Sequence, residues 1–225
     1  MVELYEAMSS LRAVRRLKPD PVPNDVLDRV LQAAAWTPTG GNVQPFRIVT
    51  VKDRSKLTVI ADWYQEEWIR YIAPGRARLP NLPQPARGAS ERTIKAGDYL
   101  ARHLGSVPAL LVFCFNADNI AITDADLDRP SVVGGGSVYT AVQNVMLACR
   151  AEGLGCVLTT LLCFKEPEVK ELLGIPPEWG TCAHIPIGYP VLKGHGPISR
   201  RPVEKLTYLD AWGAPYLPLK PSTDP

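Results

Sequence analysis

The chain has 225 residues, of which 46% are hydrophobic and 21% charged, and it carries a formal net charge of +2. A chain of this length and composition buries one sizeable core, so we expect a single globular domain over residues 1–225 and neither a disordered chain nor a coiled coil. Because recognition of a phosphate backbone needs a clustered basic face, this small charge gives no electrostatic case for nucleic-acid binding.

Two helices separated by prolines open the chain. Residues 3–11 have a short helical pattern, and "KPDPVPNDV" then supplies three prolines that end any helix. Apolar residues recur at helical spacing from Val26 onward. This spacing predicts a second helix that ends near Trp36 and has Asn24 as its N-cap.

The stretch "WTPTGGNVQPF" is too polar and too rich in glycine and proline to continue that helix. We therefore expect a loop, followed by the strand "FRIVTV". Asp53 or Ser55 then caps a helix through "KLTVIADWYQEEWIRYI". The aromatic residues of this helix pack in the core or in a lid, and Trp68 or Tyr71 could instead stack over a bound substrate.

Residues 73–97 form the least regular part of the sequence. They show no apolar periodicity and are too long for an ordinary connection. Long irregular loops in compact domains are usually lids or binding loops, so we expect a lid here.

The second half of the chain alternates strands and helices. "PALLVFCF" has the length and apolar character of a central strand buried on both faces. "SVVGGGSVYTAVQNVMLACRAEG" predicts a core or interface helix closed by Gly153, because its glycines and amides interrupt any membrane span. We then expect the strand "CVLTTLL", the helix "EPEVKELLG" and the strand "AHIPIGYP".

This mixture of elements indicates an α/β or α+β sandwich with a mixed sheet. The proline-rich arm at residues 211–225 is either frayed or laid across a partner subunit. The five cysteines lie in apolar runs without C-x-x-C spacing, which is typical of buried free thiols in a reducing compartment. The first residues lack the apolar segment of a secretory signal, so we expect a cytoplasmic protein.

Two basic clusters, at Arg12, Arg15 and Arg16 and at Arg200 and Arg201, lie far apart in the sequence. If the fold brings them together, their guanidinium groups form a fork that matches a phosphate dianion. The alternative is two solvated basic faces. Neither a P-loop nor G-x-G-x-x-G after a strand occurs, so any nucleotide-type ligand is held by another device. The three histidines are scattered without partner spacing, and we predict no metal site.

Four blocks occur in one order: "SLRAVRRLKPDPVP", "AAAWTPTGGNVQPFRIVTVKD", "GLGCVLTTLL" and "IGYP" followed by "SRRPVEKL". Together they resemble the FMN-dependent nitroreductase superfamily from about Leu11 to Asp210. The resemblance implies an α+β fold, a three-layer α/β/α sandwich with a mixed, mainly antiparallel central sheet. It also implies a homodimer with one FMN in each of two interfacial sites.

The resemblance further implies roles for individual residues. Arg12 and Arg15 would hold the FMN phosphate or ribityl chain together with Arg200. Ala13 stands where the family often has a serine, so that one side-chain contact is missing and Arg16 would compensate for it.

The flavin ring would lie against a second set of residues. Those at its edge are Thr39, Gly40 and Asn42, with Gln44 supporting the loop. Ser137 falls where a residue of the partner subunit approaches the flavin, and Thr159 and Thr160 fall beside its N5 atom, with Thr160 as the expected donor. From the residues alone, Asn42 and Gln44 could simply cap turns, and the threonines could be ordinary strand residues.

The sequence departs from the iodotyrosine deiodinase branch of the superfamily. That branch clamps its substrate with a Glu, a Tyr and a Lys; here Glu67 and Tyr71 match, but Ala101 stands at the lysine position. We therefore expect not deiodination but hydride transfer from NAD(P)H through FMN to nitroaromatics, quinones or similar acceptors, by a ping-pong mechanism. The alternatives are a specialised dehalogenase, flavin-destroying synthase or alkene reductase, and a non-enzymatic protein that stores or senses flavin.

Overall fold

The computed structural model describes residues 2–216, so the predicted role of residues 217–225 of the arm lies outside the described residues. Within this part, six α-helices occur: α1 (Leu4–Ser10), α2 (Asn24–Ala35), α3 (Arg54–Arg78), α4 (Ala86–His103), α5 (Gly136–Ala151) and α6 (Glu166–Leu173). Four strands form one sheet: β1 (Phe46–Val51), β2 (Ala109–Asn116), β3 (Gly155–Cys156) and β4 (Trp179–Gly188).

The sheet has the strand order β1-β2-β4-β3, and all three neighbouring pairs are antiparallel. One parallel bridge, between Ala13 and Cys156, joins the N-terminal segment to the β3 edge, so the predicted mixed, mainly antiparallel pairing is confirmed. β2 is central, and seven of its eight residues are buried, as expected for a strand covered on both faces.

Helices cover both faces of the sheet. Because side chains alternate along a strand, β2 points Leu110 and Val112 toward a core built with α3, α4 and α6. It points Leu111 and Phe113 toward a second core built with α2 and α5. The predicted three-layer α/β/α sandwich is therefore confirmed.

Local signals at helix ends gave mixed results. The carboxylate of Asp53 accepts hydrogen bonds from the backbone N–H groups of Ser55 and Lys56, which confirms it as the cap of α3. Gly153 ends α5 with φ of +75°, the left-handed conformation that glycine adopts at little cost. Asn24 as the N-cap of α2 was wrong: Pro23 holds that position, and the Asn24 side chain accepts a hydrogen bond from Lys52 instead.

The expectation of an irregular segment at 73–97 was also wrong. α3 continues to Arg78, and α4 begins at Ala86. The helical face of α4 was hidden because two of its buried residues are small: Gly97 packs against Trp68 so closely that a Cβ would lie 2.2 Å from the indole ring. A lid function for this region stays a prediction.

The predicted strand "CVLTTLL" forms only in part. β3 ends at Cys156, one further bridge joins Thr159 to His184, and the chain then turns into a 3-10 helix, Leu161–Lys165. Leu161 and Leu162 are buried by that turn against the helical layer. Apolar character therefore did not distinguish a strand from a buried turn at this point.

Other expectations about the chain concern its thiols and its helices. All five cysteines are free, three of them buried and two half-buried. Within residues 2–216, no helix combines the length and the apolar character needed to cross a bilayer. The same residues contain no group of three or more His, Cys, Asp or Glu side chains that could hold a metal ion.

Candidate functional site

The two basic parts of the chain run side by side at the β3 edge of the sheet. The backbone N–H of Lys18 donates to the carbonyl of Tyr189 at 2.8 Å, and that of Val191 donates to Arg16 at 3.0 Å. Gly196 N–H donates to the Ser10 carbonyl at 3.0 Å. Residues 10–18 are thereby fixed against residues 189–196 although about 180 residues separate them in the sequence.

A cavity of about 340 Å³, here called the cationic cavity, lies between these two segments. The residues that line it are Arg12, Ala13, Val14, Arg15, Arg16, Ala96, Pro190, Leu192, Lys193, Gly194 and His195. Four of them are Lys or Arg, and no acidic side chain among the described residues lines it. Such an arrangement favours an anion, because guanidinium and ammonium donors face no internal counter-charge.

The arginines of the cationic cavity are held in different ways. The Arg12 guanidinium donates to the carbonyl of Pro197 through Nε at 3.0 Å and through a second nitrogen. Arg16 lies over the ring of Tyr99, with 4.7 Å between the guanidinium carbon and the ring centroid. Arg200 is exposed, does not line the cavity and donates to the carbonyl of its neighbour Ser199 at 2.8 Å.

Arg15 also lines a second cavity, of about 210 Å³, here called the threonine cavity. Its other lining residues are Tyr64, Trp68, Tyr71, Val157, Leu158, Thr159, Thr160 and Leu161. The structure therefore brings together both threonines and both aromatic side chains that the sequence singled out. The Trp68 indole N–H donates to Asp98 at 2.8 Å, which fixes the ring at the cavity wall.

Tyr64, which the sequence assigned only to packing, contributes the phenol of the threonine cavity. Burial raises the pKa of Tyr64, while a hydrogen bond with Thr159 and the charge of Arg15 lower it by smaller amounts. The phenol is therefore neutral at physiological pH and offers an O–H donor beside Thr159 and Arg15.

His184 lies on β4 directly across from Thr159, and their backbones exchange two hydrogen bonds, of 3.0 and 2.9 Å. The imidazole is fully buried, and neither ring nitrogen has a hydrogen-bond partner among the described residues. Burial lowers the pKa of His184 to about 4, so the ring is neutral at physiological pH.

The carboxylate expected from a substrate clamp is already engaged. Glu67 is 1% exposed; one oxygen lies 3.2 Å from Arg70, and the other lies 3.7 Å from Lys165. Ala101 is 3% exposed and packs in the core. Glu67 is therefore buried and ion-paired, although its Oε1 atom has no hydrogen-bond partner among the described residues, and Ala101 offers no cation to a zwitterionic substrate.

The 39–44 loop and Ser137 form a separate group. The Ser137 hydroxyl accepts a hydrogen bond from Gly40 N–H at 3.1 Å. The backbone N–H of Gln44 donates to the Thr39 hydroxyl at 3.0 Å, and the Gln44 amide donates to the Asn42 side chain at 3.2 Å. The four side chains and the Gly40 backbone that the sequence assigned to a flavin edge are thus joined by hydrogen bonds.

Backbone conformation marks this loop as unusual. Gly41, Asn42 and Gln44 all adopt positive φ, at +57°, +55° and +52°. Asparagine tolerates this region, but for glutamine it is strained, at a cost of roughly 1 kcal/mol. Strain of this kind persists only where surrounding contacts fix it, and it clusters at binding sites.

The two groups of residues lie at opposite edges of the sheet. The 39–44 loop leads into β1, whereas Ala13 and Thr159 lie at β3 and beside it. Three inter-strand spacings separate the edges, which is roughly 14 Å. Neither the cationic nor the threonine cavity contains a residue of the 39–44 loop.

Sequence reasoning missed three residues of this region: Tyr64, Lys193 and His195. Tyr64 could have been found from its position seven residues before Tyr71, which puts both on one helical face. Lys193 and His195 lie in "VLKGHGP", where two glycines around a histidine are the available signal.

Comparison with known proteins places the chain in a family. The model of the Nitroreductase family matches residues 9–189. The chain is 31% identical over 181 residues to 5,6-dimethylbenzimidazole synthase of Rhodospirillum rubrum, covering 80% of this chain and 78% of that protein. It is 26% identical over 204 residues to NADH dehydrogenase of Thermus thermophilus, covering 87% and 90%.

A third relative is longer than this chain. Iodotyrosine deiodinase 1 of Rattus norvegicus is 28% identical over 193 residues, which are 84% of this chain but only 62% of that protein. Among solved structures, the NADPH:FMN oxidoreductase of Vibrio harveyi complexed with NAD+ superposes with a TM-score of 0.65 at 19% identity, covering 96% of this chain and 79% of the other. At that identity the likeness supports the fold alone.

Proposed function

The chain belongs to the nitroreductase family, and on this premise we propose that it is an FMN-dependent oxidoreductase. It passes a hydride from NAD(P)H to nitroaromatics, quinones or similar electron-poor acceptors by a ping-pong mechanism. The observation that carries this proposal is the cationic cavity, which joins the threonine cavity through Arg15. A ligand with a phosphate at one end and a flat, polar-edged ring at the other matches this pair of cavities.

The side chains present fit the phosphate of FMN. Arg12, Arg15 and Arg16 from one segment and Lys193 from the other supply donors around a cavity that no acidic residue among those described lines. Each hydrogen bond from a charged donor to a phosphate oxygen stabilises binding by about 1.5–3 kcal/mol. Ala13 supplies no side-chain donor, and Arg16 and Lys193 offset its absence.

The threonine cavity fits the edge of the ring. When bound, FMN supplies acceptance and donation of a hydride at its N5 atom. Thr160 is an exposed residue that lines the cavity, and its hydroxyl is the proposed donor to that atom, while Thr159 is held by its backbone pairing with His184. Trp68 and Tyr71 bound the space in which an aromatic acceptor stacks.

The 39–44 loop completes the site from a second subunit. Because it lies at the opposite sheet edge from Arg15, one chain offers the two halves in different places. In a twofold homodimer, each half meets its complement on the partner, which gives two equivalent sites at the interface. Thr39, Gly40, Asn42 and Ser137 then line the ring edge, and Gln44 fixes the loop.

A second candidate activity is favoured by one observation, the 31% identity to 5,6-dimethylbenzimidazole synthase. That alternative has the chain consume its flavin instead of returning it. Storage or sensing of flavin is a third alternative, and the deiodinase alternative is disfavoured by the engaged Glu67 and the buried Ala101.

Two flavin assays, one anaerobic and one aerobic, separate these activities. The purified protein, loaded with FMN, is mixed with NADH or NADPH, and the visible flavin absorbance is followed. We expect rapid bleaching by one of them and recovery of the absorbance when a quinone or nitroaromatic is added. A flavin that is not reduced at a useful rate supports storage, and aerobic loss of flavin with formation of a benzimidazole supports the synthase.

A further inference from the structure

His195 is a buried histidine that no motif explains. It is 7% exposed and lies in the chain segment that closes the cationic cavity. Its Nδ1 atom accepts a hydrogen bond from the backbone N–H of Arg12 at 3.4 Å, and its Nε2 atom lies 2.8 Å from the carbonyl oxygen of Leu154. The ring therefore bridges the start of the basic segment to the residue before β3.

These two contacts determine where the proton of the ring is. An N–H donor faces Nδ1, so that atom must present a lone pair, and a carbonyl faces Nε2, so that atom must carry the hydrogen. Only the neutral tautomer with hydrogen on Nε2 satisfies both contacts. A second proton, on Nδ1, would point at the Arg12 N–H and break that hydrogen bond.

The surrounding charges also oppose a second proton. Arg12 and Arg150 are the cations near the ring, and Glu6, the acidic residue of this cluster, is paired with Arg150 at 3.2 Å. Lys193 lines the same cavity. Burial lowers the pKa of His195 below its usual value, the hydrogen bond with Leu154 raises it, and Arg150 and Arg12 lower it further.

The backbone around His195 is specialised to deliver this ring. The glycines on either side, Gly194 and Gly196, have φ of +70° and +157°, which other residues rarely adopt. The Arg12 guanidinium lies 3.5–3.7 Å from the position that a Cβ of Gly196 would take. Arg12 is thus contacted twice by the same segment, at its backbone by His195 and at its side chain by the Gly196 region.

We propose that His195 is a positioning residue, whose neutral ring ties the Arg12 backbone to Leu154 and so holds residues 12–16 in the shape that binds the FMN phosphate. This inference rests on the proposed function. It predicts that loss of the Nδ1 acceptor weakens FMN binding without removing any charged donor to the phosphate. Since one backbone hydrogen bond is lost, the expected change is roughly 2- to 12-fold in Kd.

The test compares FMN affinity, measured by quenching of flavin fluorescence, at about pH 7.5 and about pH 4.5. The lower value lies well below an ordinary histidine pKa of about 6.5, because burial lowers the pKa of His195. His195→Asn keeps an acceptor near the Nδ1 position, whereas His195→Gln keeps a donor near Nε2 and loses the acceptor. We expect His195→Asn to bind nearly as well as the parent at the higher pH and to lack the His195 contribution to the pH profile. We expect His195→Gln to bind roughly 2- to 12-fold more weakly at both pH values.

The phosphate of FMN itself titrates in this window, but it does so equally in all three proteins. Identical pH profiles for the parent and His195→Asn, with FMN bound, would overturn the role of His195 and leave the proposed function intact. Failure of the parent to bind FMN would overturn the proposed function. Nitrogen-15 NMR of the ligand-free protein gives an independent readout: hydrogen on Nε2 is expected, and hydrogen on Nδ1 would overturn the inference.

Discussion

The two halves of the candidate site differ in charge: one is cationic and the other is polar but uncharged. At the β3 edge, the cationic cavity concentrates charge: four cations and His195 line it, and His184 pairs with Thr159 of the adjoining threonine cavity. At the β1 edge, the 39–44 loop and Ser137 contain no titratable side chain. Apart from the exposed Val43, they offer hydroxyls, amides and glycines on a strained backbone. One half is suited to hold an anion, and the other is suited to approach a flat neutral surface.

This difference indicates that each half lacks what the other supplies. In the proposed FMN complex, the two halves meet around one ligand that carries both a phosphate and a ring edge. The halves lie at sheet edges roughly 14 Å apart within a chain, and the proposed homodimer brings them together. The comparison also predicts that lowering the pH protonates side chains of the first half, whereas the second half has no side chain that titrates.

The largest expected effect is the recovery of FMN binding when two variants that each bind FMN poorly are mixed. Arg15→Ala removes a cation of the first half, and Gly40→Trp fills the ring side of the second half, where a Cβ would meet only the Ser137 hydroxyl at 3.9 Å. Neither homodimer retains stoichiometric FMN. After subunit exchange in equal amounts, half of the dimers are mixed and each has one intact site, so about a quarter of all sites should bind FMN.

The measurement is FMN stoichiometry by absorbance after gel filtration. Co-incubated variants without exchange serve as the control. Binding that stays absent after verified exchange would contradict the two-chain site.

Within the first half, Arg15→Ala should raise the Kd for FMN roughly 10- to 150-fold, because it removes charge-assisted hydrogen bonds to a dianion. Arg15→Lys should recover only part of the loss, since an ammonium lacks the planar fork. Arg78→Ala, at an exposed position at the end of α3, is the matched control and should bind like the parent. Equal affinities for Arg15→Ala and Arg78→Ala would remove Arg15 from the site.

Lowering the pH should reduce the free energy of unfolding through His184, which pairs with Thr159 in the sheet. The pKa of His184 is about 4 in the folded protein, below about 6.5 in the unfolded chain, so between these values the unfolded chain binds more protons. The contribution of His184 to the free energy of unfolding is therefore fully present above about pH 6.5. It is lost as the pH drops toward about 4, by roughly 3 kcal/mol in all. Urea unfolding of the parent and of His184→Leu across this range measures it.

His184→Leu should be at least as stable as the parent at pH 7, because it removes two buried nitrogens without partners. The free energy of unfolding of this variant should change less with pH than that of the parent, by the same roughly 3 kcal/mol. A parent and a variant that lose stability in parallel would show that the acid sensitivity arises elsewhere.

The smallest expected effect sharpens the description of the second half. Gln44→Ala keeps the strained backbone and loses the hydrogen bond to Asn42, whereas Gln44→Gly relieves the strain as well. We expect the glycine variant to be more stable than the alanine variant by about 1 kcal/mol in urea unfolding. The opposite order would mean that residue 44 is not held at positive φ.

Much of the fold followed from patterns along the chain. The strand over residues 46–51 matched its prediction because β-branched residues and a clear loop on either side mark it. The Asp53 cap and the Gly153 helix end were correct because each depends on one residue and its immediate neighbours. The 73–97 region failed because Gly97 packs under Trp68, and glycine carries no hydrophobic signal.

For the candidate site too, some features followed from the sequence and others appeared only in the tertiary structure. Composition and local spacing by themselves determined a sandwich of helices and strands, the basic segment at residues 12–16 and the loop at residues 39–44, and the family resemblance narrowed the sandwich to the α+β class. Only the tertiary structure revealed that residues 189–196 close over the basic segment, that Lys193 and His195 join it, and that the 39–44 loop lies at the far sheet edge. The physical reason is that hydrogen bonds between residues about 180 positions apart depend on which strands pair. A local stretch of sequence does not specify that pairing.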